Sequence, residues 1–212
     1  MIERDFCACI FDMDGTLIDS QLYWETLPSD MLKERGFVLS SEDSKAIRTM
    51  NIPQALAFLK EKFGLEDSLE SLNAELKRRI NLIYSEKVKL KDGVKEYLEF
   101  LKKEKVPMCV ATASDKSCAV GVLERLGVRD FFSFVLTDGE LGKSKTNPDI
   151  YLECARRLGS KPEKTAVFED SFSYAKAARS AGFLVYAVWD ESNKNNFGEF
   201  LSFADGRAHW QK

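Results

Sequence analysis

Histidine is almost missing from this 212-residue chain: the single one, His209, stands near the C-terminus. Ser-His-Asp and Cys-His catalytic devices need an imidazole, so either would require that tail residue to fold back into a site. Cysteine is sparse as well. The five, Cys7, Cys9, Cys109, Cys118 and Cys154, are odd in number and scattered, which argues against a disulfide framework or a zinc cluster. Cys7, Cys9 and Cys109 lie in apolar strand-like runs and read as small buried hydrophobes. No apolar run approaches the length of a bilayer span, and the first residues lack the basic, apolar, small-residue layout of a secretory signal. The expectation is a cytoplasmic protein with no membrane partner. Positive charge is not in excess either: 31 Lys and Arg face 34 Asp and Glu, a net charge of −3. That balance gives no electrostatic footprint for nucleic acid.

What is present suits one globular domain or a core with a small insert, at 44% hydrophobic and 31% charged residues. Short continuous apolar runs occur at Phe6 to Phe11, Val106 to Thr112, Phe132 to Thr137, Lys164 to Asp170 and Phe183 to Val188. Such runs fit parallel strands buried on both faces. Amphipathic stretches alternate with the later runs: Val94 to Lys103, Ser117 to Leu126, Asp149 to Leu158 and Tyr174 to Ala181. Gly127 and Gly182 stand where helices should end. This alternation predicts an α/β fold, a doubly wound parallel sheet forming a Rossmann-like core.

The alternation fails once. From Leu17 to Lys89 only helical periodicity is found, with helices expected at Gln21 to Arg35, Ser41 to Met50, Pro53 to Phe63 and Leu69 to Glu86. About seventy residues exceed a single crossover, so an inserted all-helical cap is expected at 17–89, with the core formed by 1–16 and 90–212. The insert grows from the loop after Asp12 and Asp14, at the carboxyl end of the first strand, where ligands of open α/β sheets bind. It is placed to act as a lid.

Four chemically complementary elements stand at predicted strand ends. They are Asp12-Met13-Asp14-Gly15-Thr16, Thr112-Ala113-Ser114, Lys145 in the loop after the third strand, and Glu169-Asp170. Carboxylates gathered in one crevice repel unless a cation sits among them, and an all-oxygen donor set favours a hard ion such as Mg²⁺. Lys145, Thr112 and backbone N–H groups at a helix start could then take the oxygens of a phosphoryl group. One aspartate can attack phosphorus while the second protonates the leaving oxygen. Ser114 and Ser171 read as caps of the following helices. Tyr23, Trp24 and Met50 either line a substrate pocket or pack the insert's core, and Arg48 either meets an anionic substrate or sits on a solvated face.

Asp12-Met13-Asp14-Gly15-Thr16, Thr112, Lys145 and Glu169-Asp170 resemble, in order and position, the four signature motifs of the haloacid dehalogenase superfamily. The likeness runs over nearly the whole chain. The insert looks like that of the subgroup holding phosphoglycolate phosphatase and β-phosphoglucomutase. The resemblance implies Asp12 as nucleophile and Asp14 as general acid/base, with Thr112, Ala113 and Lys145 on the phosphate. It also implies a Mg²⁺ site from Asp12, the Asp14 carbonyl and Asp170, while Glu169 either binds the ion, directly or through water, or orients its neighbours. Lys143 is a nearby second lysine for the phosphate. The dehalogenases lack the second aspartate, so Asp14 argues for phosphoryl chemistry. Mutases of this likeness carry a histidine on the first insert helix, where this chain has Tyr23-Trp24. A phosphatase of small phosphorylated metabolites is therefore expected ahead of a sugar phosphomutase. A receiver-like phospho-switch would have neither insert nor use for Asp14. Assembly is expected to be a monomer or small homo-oligomer.

Overall fold

The structure is a computed structural model and describes residues 6–47, 50–208 and 210; Arg48 and His209 lie outside the described residues. Six strands form one parallel sheet: β1 (Ala8–Phe11), β2 (Met108–Thr112), β3 (Val135–Thr137), β4 (Thr165–Glu169), β5 (Leu184–Ala187) and β6 (Gly206–Arg207). Their spatial order is β3-β2-β1-β4-β5-β6. Every strand pairing among the described residues is parallel, with Phe11 beside Val110 on one side and Phe168 on the other. The strand order reverses around β1, so the chain crosses over on both sides of it and builds the doubly wound sheet that the alternation of runs predicts.

The helices are α1 (Gln21–Lys33), α2 (Ser41–Ile47), α3 (Ile52–Phe63), α4 (Leu69–Glu86), α5 (Val94–Lys103), α6 (Lys116–Arg125), α7 (Asp138–Leu141), α8 (Asp149–Leu158), α9 (Phe172–Ser180) and α10 (Phe197–Phe203). Side chains alternate across the sheet. Ile10, Cys109, Val167 and Val185 pack on one face with Tyr151 and Cys154 of α8 and Ala175 and Ala178 of α9. Phe11 and Phe168 stack on the other, ring centroids 4.7 Å apart, with Tyr97 of α5 edge-on to Phe168 at 5.7 Å. Both Ile10 and Phe11 are fully buried. That is why β1 reads as a continuous apolar run rather than an alternating one.

Leu22–Lys87 forms a compact unit of its own, and the rest of the described chain forms the other. Leu17 and Ile18, expected in the insert, belong with the sheet: both are fully buried, and Ile18 bridges to Asp14 and Leu90. Within the helical unit, Leu72, Leu76, Ile80 and Tyr84 line one face of α4 at helical spacing. Arg35 reaches Asp67 at 3.0 Å and Glu75 at 2.6 Å, tying the end of α1 to the start of α4. Trp24 is half-buried and donates its indole N–H to the Tyr84 hydroxyl at 3.1 Å. It packs the helical unit, one of the two roles the sequence left open.

Candidate active site

Parallel strands bring their carboxyl ends to one edge, and the chain leaves β1 at Asp12. The turn that follows needs Gly15, at φ +80°: a Cβ there would stand 2.2 Å from Asp170 Oδ2. Only glycine adopts this conformation freely and leaves that space. The tight turn is what lets the β1 loop press against the end of β4.

Lys145 is 0% exposed although it sits in a loop. Its Nζ bonds Asp12 Oδ1 and lies 2.5 Å from Glu169 Oε1, with the Tyr174 ring 5.0 Å away. A dry ammonium needs such partners, since burial opposes its charge; Asp12 and Glu169 together outweigh that and raise it above the ordinary lysine range. Glu169 also accepts from the Tyr151 hydroxyl at 3.1 Å and from the Ser171 N–H at 3.2 Å. By contrast Lys143 is exposed and pairs with Asp149, outside this cluster.

Asp12, Glu169 and Asp170 each offer a carboxylate oxygen within 4.8 Å of the others, all three buried. One lysine cannot neutralise three carboxylates. Burial first, then the Glu169 charge, pushes Asp12 up to about 7 against the pull of Lys145. Burial and the charges of Asp12, Glu169 and Asp190 raise Asp170 well above the carboxylate range. The cluster therefore favours uptake of positive charge, as protons or as a cation. Its donors are all oxygen, which fits a hard divalent ion and not a soft one.

Asp14, one turn away, is half-buried and held by two hydroxyls. Ser20 Oγ donates to Oδ1 and Ser114 Oγ to Oδ2, each at 2.6 Å. Asp115, not Ser114, caps α6, accepting from Ser117 N–H at 2.9 Å. Ser171 stands at the N-cap position of α9 but makes no side-chain cap bond, its hydroxyl meeting Ser173 Oγ at 2.9 Å. Both serines were expected as caps; the nearby carboxylate and the neighbouring serine are better partners. Thr112 is buried at the end of β2, and its Oγ1 accepts from Ser114 N–H at 3.0 Å, which leaves the hydroxyl hydrogen as a donor. Ala113, next to it, is exposed.

Other residues around the cluster escaped the sequence reading. Gln21 Nε2 donates to the Asp14 carbonyl at 3.2 Å and to Asp170 Oδ2 at 3.1 Å. Asn193 Nδ2 donates to the Asp170 carbonyl at 2.8 Å, and Lys91 Nζ lies 2.5 Å from Asp190 Oδ2 beside it. No spacing rule links these positions to Asp170; only the sheet order does.

The cysteines are all free thiols, with Cys9, Cys109 and Cys154 buried. Cys7, expected to be buried, is exposed: it precedes β1, and its Sγ lies 3.5 Å from Ser160 Oγ and from the Lys164 carbonyl. No helix among the described residues is long and apolar enough to cross a membrane.

Comparison with known proteins identifies the family. A family model for haloacid dehalogenase-like hydrolases matches residues 7–182. A phosphorylated carbohydrates phosphatase of Thermotoga maritima is 34% identical over 95% of this chain and 88% of its own length. A fructose-1-phosphate phosphatase of Escherichia coli is 31% identical over 86% of this chain and 95% of its own. A crystal structure from Thermotoga maritima, provisionally assigned as a β-phosphoglucomutase, superposes with a TM-score of 0.81 at 30% identity, covering 95% of this chain and 93% of that one. With its sheet, its acidic edge and these matches in agreement, the chain belongs to the haloacid dehalogenase-like hydrolases.

Proposed function

We propose that this hydrolase is a Mg²⁺-dependent phosphatase of small phosphorylated carbohydrates, acting through an aspartyl-phosphate on Asp12. The observation that carries this reading is the buried trio of Asp12, Glu169 and Asp170 with Lys145 against Asp12. Asp12, the Asp14 carbonyl and Asp170 would hold the ion, with Glu169 held on Lys145 and Tyr151 to orient it. When bound, the ion supplies charge that neutralises phosphate oxygens and keeps Asp12 ionised. An Asp12 carboxylate oxygen bonds to phosphorus as the ester P–O bond breaks. Asp14 gives its proton to the departing alkoxide. Water then attacks the phosphorus of the acyl phosphate, Asp14 takes back a proton, and inorganic phosphate leaves with Asp12 restored. Thr112, the Ala113 N–H and Lys145 hold the non-bridging oxygens meanwhile.

The names of the relatives support the substrate class: one acts on phosphorylated carbohydrates and one on fructose 1-phosphate. A mutase would need a group on α1 to hold off water, and Trp24 instead spends its indole N–H on Tyr84. The test is an assay of the purified protein against a panel of sugar phosphates, with Mg²⁺ or with chelator. Release of inorganic phosphate from at least one, lost with chelator, is expected. Conversion to an isomeric sugar phosphate, or turnover indifferent to chelator, overturns the proposal.

A further inference from the structure

Gln21 is the first residue of α1 and the last before the helical unit begins. Its amide nitrogen donates to two oxygens at once, the Asp14 carbonyl at 3.2 Å and Asp170 Oδ2 at 3.1 Å. The first is an oxygen assigned above to the cation, and the second belongs to a carboxylate assigned to it. An N–H donor and a divalent ion make the same demand on an oxygen, a lone pair facing positive charge, and Mg²⁺ demands it at about 2.1 Å. The space is tight as well. A Cβ on Gly15 would lie 2.2 Å from Asp170 Oδ2 and 2.8 Å from Gln21 Nε2, so carboxylate, amide and turn already touch. On the far oxygen, Thr16 Oγ1 stands 3.5 Å from Asp170 Oδ1.

We propose that Gln21 is a latch that competes with the cation for the Asp14 carbonyl and Asp170. Entry of the ion breaks at least one of its two bonds, and loss of the ion restores them. Because the latch is the residue that opens α1, cation binding and the conformation of the first turn of α1 are linked. The inference rests on the cation site of the preceding subsection. It makes Gln21 a positioning residue, one that touches ligand oxygens and not substrate.

The test is calorimetric titration of Mg²⁺ into metal-stripped protein, comparing the parent with Gln21→Ala and Gln21→Asn, together with thermal melting of each without metal. Alanine removes the donor; asparagine keeps the amide but is too short to span both oxygens. A competing bond of ordinary strength is worth about a three- to tenfold gain in Mg²⁺ affinity when it is removed. Both variants are expected to bind that much more tightly and to melt at a lower temperature than the parent without metal. Equal or weaker Mg²⁺ binding in whichever variants fold overturns the latch alone, because the parent still binds. Absence of Mg²⁺ binding by the parent overturns the cation site and the latch with it.

Discussion

Lys145 and Asp12, 133 positions apart in the chain, form an ion pair in which the lysine is wholly removed from solvent. The same ammonium reaches Glu169, so one cation anchors the ends of β1 and β4 together. Breaking such a pair strands buried carboxylates, which costs about 3–5 kcal/mol. Lys145→Met should therefore lose stability as well as activity. Its melting temperature should lie furthest below the parent's at pH 8 and recover toward it at pH 5, where the stranded carboxylates take up protons. A gap that does not change with pH would show that Lys145 contributes packing and not charge.

The acidic trio also sets the pH dependence of the metal-stripped protein. Asp12 stands at about 7 in the fold against an ordinary value of 3.8. A carboxyl raised on folding binds its proton more tightly in the native state, so its stabilising contribution is complete below about pH 4 and is lost as pH rises through about 7. Melting temperature without metal should thus rise as pH falls from 8 to 5. Saturating Mg²⁺ should flatten that slope, and Asp12→Asn should reduce it. A melting temperature that falls over the same interval contradicts the assignment.

Asp14 is gripped through both oxygens by Ser20 and Ser114. If it protonates the leaving group, Asp14→Asn should impair sugar phosphates far more than p-nitrophenyl phosphate, whose leaving group needs little protonation. A difference of about 10²-fold or more in kcat/KM loss between the two is expected. Equal losses on both would remove the acid role. Ser114→Ala should give a weaker form of the same pattern, since it loosens the carboxylate without deleting it.

The sheet was legible in the sequence because buried parallel strands are apolar runs bounded by turn residues. The runs ending at Phe11 and Thr112 close at the same residues as β1 and β2. Helices α4, α5 and α8 begin and end where periodicity places them, since each carries a clear apolar face, and α8 also stops at Gly159. β6 was not legible: two residues, Gly206 and Arg207, form no run, and pairing with β5 alone defines the strand. Short α7 and α10 were missed for a related reason, being too brief for a period to register. In the site, Asp12, Asp14, Glu169 and Asp170 stood out because charge at the end of a buried strand needs a reason, and Lys145 stood out as the complementary charge in the loop between β3 and α8. Gln21, Asn193 and Lys91 did not, because an amide or a lysine in a polar stretch gives no signal until the sheet order sets it beside Asp170. Ser114 was misread because capping and carboxylate binding use the same residue type at the same place.

The most direct measurement is acid-quench mass spectrometry during turnover of a sugar phosphate. A phosphoryl adduct is expected on the peptide containing Asp12, labile to hydroxylamine and absent from Asp12→Asn, which should not turn over. An adduct on another residue, or an Asp12→Asn variant that hydrolyses the substrate near the parent rate, would contradict Asp12 as the nucleophile.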